Sequence, residues 1–374
     1  MYDMIFLSFG PLPDHGLSKR QNAAEADQAQ YMPIINDTEQ DGPAAAKSAA
    51  WGVILATLLC LVAAGAVLLI VLAIIAHVYY SHAVSSTCQN PTVRQEWRAL
   101  TRDEKFEFIR AVNKLAETPS KRRANGTIYD DFAILHGAIG SWAHRSASFL
   151  PWHRYTLILY EEALREYADF QGHIPYWDWS LDWMNLANSS IWSSEDGFGG
   201  DGDSNGPVIV GEGRCVVDGP FAHLRPILYN HTYTQHCLSR GFHDGKTRGR
   251  LSGDAYKPEI VGKILREPTY ERFERQLEIY LHGSLHQSVN GDFKAMTAAN
   301  DPLFYLHHAQ LDRMWWQWQQ ARPASRLLEY RGKHMYNSTG NATLDNVLMY
   351  GEFAQDIPVA KVMDTEGGFL CYKY

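Results

Sequence analysis

The sequence predicts a mainly α-helical domain with long loops, preceded by a single transmembrane helix. Three observations carry this prediction: one long uncharged apolar run, several stretches of helical periodicity after it, and few alternating runs. The 374 residues are 45% hydrophobic and 20% charged, which excludes wholesale disorder. Lys+Arg number 34 and Asp+Glu 42, for a net charge of −8. A chain this acidic lacks the basic stripe of a general nucleic-acid binder, so no nucleic-acid partner is expected. Five cysteines are too few for a disulfide scaffold.

From Trp51 to Tyr80 no side chain carries a full charge. A spanning helix needs roughly 20 apolar residues, and this run exceeds that. Trp51 stands at one end and Tyr79 and Tyr80 at the other, where interfacial anchors belong. The lipid bilayer is therefore an expected partner. A cleaved signal peptide has an apolar core of roughly 7–15 residues near the N-terminus, whereas residues 1–50 come first here. Lys19, Arg20 and Lys47 precede the run, and the first Lys or Arg after it is Arg94. The positive-inside bias puts the N-terminus in the cytosol and the C-terminal part in the lumen of the secretory pathway or outside. Asn-X-Ser/Thr acceptors at Asn125, Asn188, Asn230, Asn337 and Asn341 all follow the span, as glycosylation would require. Four cysteines also follow it, and three connectivities are open to them. The favoured pairing joins Cys215 to Cys237, close in sequence, and Cys88 to Cys371, tying the domain ends together. Cys60, inside the span, reads as a small apolar residue.

The rest divides simply. Residues 1–50 read as a disordered cytosolic tail, 51–80 as the transmembrane helix, 81–95 as a stalk and 96–374 as one large domain. Thr101 with Glu104 forms a capping box, followed by Phe106, Ile109, Val112 and Leu115 at helical spacing. Pro151 suits the first turn of a helix carrying Leu157, Leu159, Leu164 and Tyr167. Tyr270–His286 and Pro302–Gln320 are further periodic stretches, and Gly197–Gly213 is too glycine-rich to be anything but loop.

Chemistry concentrates in histidines. His282 and His286 are four apart in a helical stretch, so both rings leave one face. The zinc-protease signature is absent, because Gly283 follows His282. His307 and His308 open the next helix and can bring a third imidazole to the same point. His136, His144 and His153 form a second group among Trp, Phe and Leu. A satisfied core histidine explains any one of these. Two triplets are harder to explain that way, since each buried imidazole needs a hydrogen bond or a metal. Imidazole sets without thiolate or carboxylate suit copper, zinc, iron or nickel. Three ligands per ion leave an open position on each, and zinc pairs more often use bridging carboxylates. Copper is preferred.

At these residues the chain resembles the tyrosinase family of type 3 copper proteins. The resemblance rests on YDDFAILH (129–136), WAHRSASFLPWHRY (142–155) and the stretch from His282 to Trp318. The eight-residue gap between His144 and His153 and the string NDP-x-F-x-x-HH-x-x-x-D-x-x-W-x-x-W are the specific parts. The likeness runs from about Cys88 onward and is greatest to the short fungal tyrosinases, some of which serve clusters making modified peptides or other secondary metabolites. It implies a four-helix bundle holding two copper ions. CuA would sit on His136, His144 and His153, and CuB on His282, His286 and His308, with His307 a neighbour. Asp312 would orient a ligating imidazole. Met296 would lie over CuB, and Glu278 would hold a water that handles the phenol proton, with Glu274 the lesser candidate. The implied reaction is oxidation of a phenol or catechol, free or within a peptide, to an o-quinone by dioxygen.

Three departures from the family pattern modify these expectations. Trp142 stands where many fungal members have a cysteine thioether-linked to the second CuA histidine, so no crosslink is expected. Gly283 replaces the Asn or Asp that often follows the first CuB histidine in monophenol hydroxylases, which puts hydroxylation in question but not catechol oxidation. The chain ends at GGFLCYKY, so no C-terminal shielding domain or activating cleavage is expected. Trp177 and Trp179 read as packing, and Asp178 as structural. Two other readings compete with an oxidase. One is a reversible dioxygen carrier of the hemocyanin kind, disfavoured by the short chain and the anchor. The other is a copper-free relic, disfavoured by six intact ligand positions.

Overall fold

A computed structural model describes residues 57–74 and 88–374. The expected cytosolic tail, both ends of the expected span and most of the stalk lie outside the described residues. The chain divides into two units, Met1–Tyr79 and Tyr80–Tyr374. In the first, helix α1 (Thr57–Ile74) is long and apolar enough to cross a membrane. At 1.5 Å per residue it measures about 27 Å, close to a bilayer's hydrocarbon core.

The second unit is helical, and its strands are two residues long. Helix α2 (Arg102–Glu117) starts at the expected capping box: Thr101 Oγ1 accepts the Glu104 N–H, and Glu104 Oε2 accepts the Thr101 N–H. Thr127 and Asp130 cap α3 (Ile128–Ala138) in the same way. A single turn, α4 (Gly140–Ala143), leads to α5 (Phe149–Ala168), which has Pro151 in its first turn. Helices α6 (Pro258–Leu265) and α7 (Tyr270–Gln276) follow. From α7 the chain winds into a π-helical segment (Leu277–His282) and then α8 (Gly283–Val289). Helix α9 (Leu303–Gln320) and the short α10 (Pro323–Arg326) complete the set. Helix α5 packs against both α2 and α9, and the π segment also meets α9. Leu157, Leu164, Leu281, Leu303, Leu306 and Trp315 are buried between them. Each contributes roughly 1.5–3 kcal/mol by leaving water.

Two devices fix the segments that lack regular structure. Gly197–Gly213 contains no helix or strand, as expected, yet the buried Arg240 guanidinium donates to the carbonyls of Phe198, Gly199 and Gly200. It also pairs with Asp301 at 2.7 and 2.9 Å, just before α9. Gly291 has φ +56°, and a Cβ there would lie 2.1 Å from the Ser239 carbonyl oxygen. Only glycine lets the turn after α8 approach strand Ser239–Arg240 so closely.

The ends of this unit are tied together. Strand Thr92–Val93 pairs in parallel with Tyr372–Lys373, beside the Cys88–Cys371 disulfide. The second disulfide is Cys215–Cys237, so both favoured pairs are present. Below this seam the Arg94 guanidinium lies 3.8 Å from the Tyr372 ring centroid and 3.1 Å from Glu161. Tyr372 and Tyr374 hydroxyls donate to Asp312, whose other oxygen accepts from Arg154. Buried charges need such mutual satisfaction, since each alone would cost several kcal/mol.

Candidate metal centre

The first three histidines are aimed by backbone carbonyls. His136 Nδ1 donates to the Met296 oxygen (2.5 Å), His144 Nδ1 to Gly140 (2.7 Å) and His153 Nδ1 to Phe149 (2.7 Å). A carbonyl only accepts, so each of these rings carries a proton on Nδ1, the tautomer that presents Nε2 to a metal. The Nε2 atoms of His136 and His153 lie 3.3 Å apart. One ligand atom from each of His136, His144 and His153 falls within 4.8 Å of the others.

The second group grows from α8. His282 ends the π segment, and its ring centroid is 4.3 Å from that of His286. His286 Nδ1 donates to the Phe293 carbonyl, and the Phe293 ring stacks on it at 4.4 Å. His282, His286 and His307 have ligand atoms within 4.8 Å of one another. His308 stacks on His153 (4.2 Å, 10°) and lies 5.2 Å from His282. His144 and His282, from different groups, are 5.8 Å apart. The seven imidazoles thus form one continuous cluster, supplied by α3, the turn after α4, α5, the π segment, α8 and α9.

Burial, then the neighbouring imidazoles, holds His153, His282 and His308 well below the usual histidine range. Burial does the same for His136 and His307 and lowers His286 to about 4. The rings are therefore neutral and available as ligands. The Nε2 atoms of His282, His286, His307 and His308 are buried with no hydrogen-bond partner among the described residues. Each unsatisfied nitrogen costs about 1–3 kcal/mol, and a soft or borderline metal would remove that cost wherever the nitrogen carries a lone pair. Neither histidine group includes a thiolate or a carboxylate. The donor set fits two copper ions.

Sequence comparison agrees with this geometry. Residues 126–321 match the family described as the common central domain of tyrosinase. The chain is 69% identical over 287 residues to Tyrosinase ustQ of Aspergillus flavus, covering 77% of this chain and 80% of that one. It is 62% identical over 291 residues to the tyrosinase-like protein phomQ2 of Diaporthe leptostromiformis, covering 78% and 74%. The chain belongs to the tyrosinase family. Its fold is shared with a solved point mutant of the polyphenol oxidase of Thermothelomyces thermophila, with TM-score 0.65 and 27% identity over 76% of this chain and 88% of that one. The protein is a copper oxidoreductase, and its two histidine groups are the places for a type 3 copper pair.

In this tyrosinase-family site the supporting residues differ in part from expectation. Asp312 is expected to orient an imidazole, but among the described residues its bonds go to Arg154, Tyr372 and Tyr374. It braces α5 through Arg154, the residue after His153. Met296, expected over CuB, also orients His136 of the CuA group through its carbonyl oxygen. Glu278 accepts the Arg145 N–H with both carboxylate oxygens (2.7 and 2.8 Å). Arg145 follows His144 and has φ +54°, so the carboxylate holds a left-handed turn that sets the His144 ring. Glu274 is buried nearby, and burial followed by the Glu278 carboxylate raises its pKa well above the carboxylate range. Trp177 and Trp179 are buried, as packing residues should be, and the Trp179 indole also donates to His307 Nδ1 (3.3 Å). Asp178 accepts from Gln310 and Arg313, joining its loop to α9. Trp142 lies against His334 at 5.9 Å. With four cysteines in disulfides and Cys60 in α1, no cysteine remains for a thioether to His144. All five acceptor asparagines are exposed.

One supporting pair has no counterpart in the sequence reading. His236 Nδ1 faces the Thr234 carbonyl (2.9 Å), and Nε2 faces Asp292 Oδ1 (2.9 Å). Both nitrogens meet acceptors, which requires a doubly protonated ring. Asp292 also accepts from the Ser239 N–H and from Asn300 Nδ2, bonds that favour its carboxylate, although burial pushes its pKa up. The pair anchors the turn whose Phe293 carbonyl aims His286. Burial opposes the charge on His236, but Asp292, then Thr234 and Asp130, outweigh it and raise the pKa. The pair's stabilisation is therefore complete below the unfolded value of about 6.5 and is lost as pH rises through the higher folded value. His236→Ala should destabilise the domain by about 2 kcal/mol at about pH 6. It should also flatten the fall of Tm between about pH 6 and about pH 9. Calorimetry across that range checks this, and parallel wild-type and variant profiles would count against it.

Proposed function

We propose that this protein is a membrane-anchored type 3 copper oxidase that converts catechols to o-quinones with dioxygen in fungal secondary-metabolite or pigment biosynthesis. The observation that carries the reading is the seven-imidazole cluster in which the buried Nε2 atoms of His282, His286 and His308 have no hydrogen-bond partner among the described residues. The copper pair, when bound, supplies the two-electron oxidation of the catechol at the expense of dioxygen. The protein's part is to orient the ligands through Met296, Gly140, Phe149 and Phe293 carbonyls and to exclude water with Phe149, Trp152 and Phe304. The anchor is α1, with the N-terminus cytosolic and the copper domain in the secretory lumen or outside. Two disulfides and five exposed glycosylation acceptors support that side. A phenolic small molecule or a tyrosine-containing peptide is the substrate class, on family likeness.

His308 completes the second triad in this proposal, although His307 has the ligand atom within 4.8 Å. The Trp179 N–H occupies His307 Nδ1, so the neutral His307 ring keeps its proton on Nε2 and cannot bind metal there. His308 Nε2 is buried and unpartnered, and its ring touches both triads. Glu278, beside the His144 turn, is the proposed proton handler, and the Met296 side chain a proposed wall of the approach.

Copper analysis separates the two histidines. His308→Gln should lower bound copper from two per chain toward one, while His307→Gln retains both. The reverse outcome would transfer the ligand role to His307.

Gly283 governs hydroxylation in this reading. A Cβ at Gly283 meets only the Glu278 carbonyl oxygen, at 3.6 Å, which is ordinary van der Waals contact. Copper-loaded protein should form quinone from 4-tert-butylcatechol under air and much less from the matching monophenol. Gly283→Asn should raise the monophenol rate on the order of a hundredfold, the lower reach of a positioned proton acceptor. Folded, copper-loaded protein that forms no quinone would instead favour a dioxygen carrier.

A further inference from the structure

Oxidation sites of this kind face a hazard whenever an oxidising equivalent forms and no phenol is bound. Given the oxidase reading, on which this inference rests, the aromatic contacts around the site decide where such an equivalent goes. Trp152, the residue before His153, touches two ligands of one group. Its ring is 4.9 Å from His153 and 5.8 Å from His136. On its far side it stacks on Tyr350 at 5.4 Å with the planes 7° apart. Tyr350 in turn meets Tyr155 edge-on at 5.0 Å. Trp152 and Tyr350 are fully buried, whereas Tyr155 is half-buried and borders Phe369, which is 43% exposed.

These three rings are the readily oxidised side-chain types, in unbroken contact from the ligands to the surface. Among the described residues two other aromatic routes lead from the cluster to tyrosines, and their chemistry differs. Phe304 bridges His308 to Tyr305, which stacks on Tyr160 at 3.4 Å. Both of those hydroxyls are buried with no hydrogen-bond partner among the described residues, so neither phenol has a base there to take its proton. Removing an electron from a phenol that keeps its proton is strongly unfavourable, and that route is a dead end. Trp179 leads to Tyr256, which is buried with its hydroxyl against the Leu281 carbonyl. Tyr350 also donates to a carbonyl, that of Trp152, so it serves as a bridge rather than a resting place. Trp152 needs no proton loss to pass an electron, and Tyr155 can release its proton to water.

We propose that Trp152, Tyr350 and Tyr155 form an escape path that drains oxidising equivalents from the copper site to the surface when no phenol is bound. An electron leaves Tyr155, passes through Tyr350 and Trp152 and reduces the site by one equivalent. The Tyr155 phenolic proton goes to water, and the neutral tyrosyl radical is reduced by a solution thiol or an ascorbate-class donor. Two such passages deliver the two electrons that a catechol would have supplied.

The test treats the copper-loaded, full-length protein with hydrogen peroxide, without phenol, in the presence of a nitroxide radical trap. Trapped adducts are mapped by peptide mass spectrometry. The wild type should carry the adduct on Tyr155 well above Tyr233 and Tyr336, which are 60% and 37% exposed. Tyr155→Phe should shift oxidation inward to Trp152 and the histidine-bearing peptides and speed peroxide-driven copper loss severalfold. Trp152→Phe should at least halve the Tyr155 adduct. Labelling of Tyr155 no greater than that of Tyr233, or unchanged in Trp152→Phe, would overturn the path. The same sample is assayed with 4-tert-butylcatechol: quinone formation with no Tyr155 adduct rejects the path alone, and no quinone rejects the oxidase reading itself.

Discussion

The domain depends on the burial of imidazole nitrogens that no protein group satisfies. Three lone-pair Nε2 atoms, those of His282, His286 and His308, lie out of water among Phe149, Phe293, Phe304 and one another, with no partner among the described residues. Without a partner each is a standing cost. Low-dielectric surroundings also forbid the easy remedy of protonation, because burial drives these rings to the neutral form. A pair of soft or borderline cations is the remedy left, and it converts the cost into binding energy. The fold is then a frame for presenting lone pairs. Carbonyls at Met296, Gly140, Phe149 and Phe293 take the Nδ1 protons, and each lies in a segment held by something further out.

Those outer holds explain why the chain is organised around a few buried charges. Arg240 and Asp301 join the glycine-rich loop to the start of α9. Arg154 and Asp312 join α5 to α9 beside His153, and Tyr372 and Tyr374 bring the C-terminal strand onto the same carboxylate. His236 and Asp292 hold the turn behind His286. These pairs are dry, so each functions only while complete. Rigidity at the ligands is the outcome, and it suits a site whose redox chemistry belongs to the metal and whose geometry belongs to the protein.

Much of this is readable from side-chain pattern alone. The Thr101–Glu104 capping box, Pro151 at its helix start and the His282–His286 spacing are local rules, and the structure follows them. The two histidine groups are readable because imidazoles seldom cluster among tryptophans without cause. What escapes reading is mostly carried by backbone. Nothing in the letters Met296 or Phe293 marks a carbonyl as a histidine's acceptor, since every residue has one. Asp312 is a partner for an imidazole only by family resemblance, and Arg154 and two tyrosines at the far end of the chain reach it instead. His236 lies 56 residues from Asp292 in sequence, and only the fold brings them together. The π segment before His282 is likewise invisible, because its hydrogen-bond register leaves the apolar periodicity nearly intact.

Copper-edge X-ray absorption of the loaded protein tests the central claim most directly, because it reads the atoms around the metal. Two coppers per chain, each surrounded by imidazole nitrogens with no sulfur neighbour and with the other copper close by, is the result this account predicts. A single isolated copper, or a sulfur within its coordination shell, would contradict it.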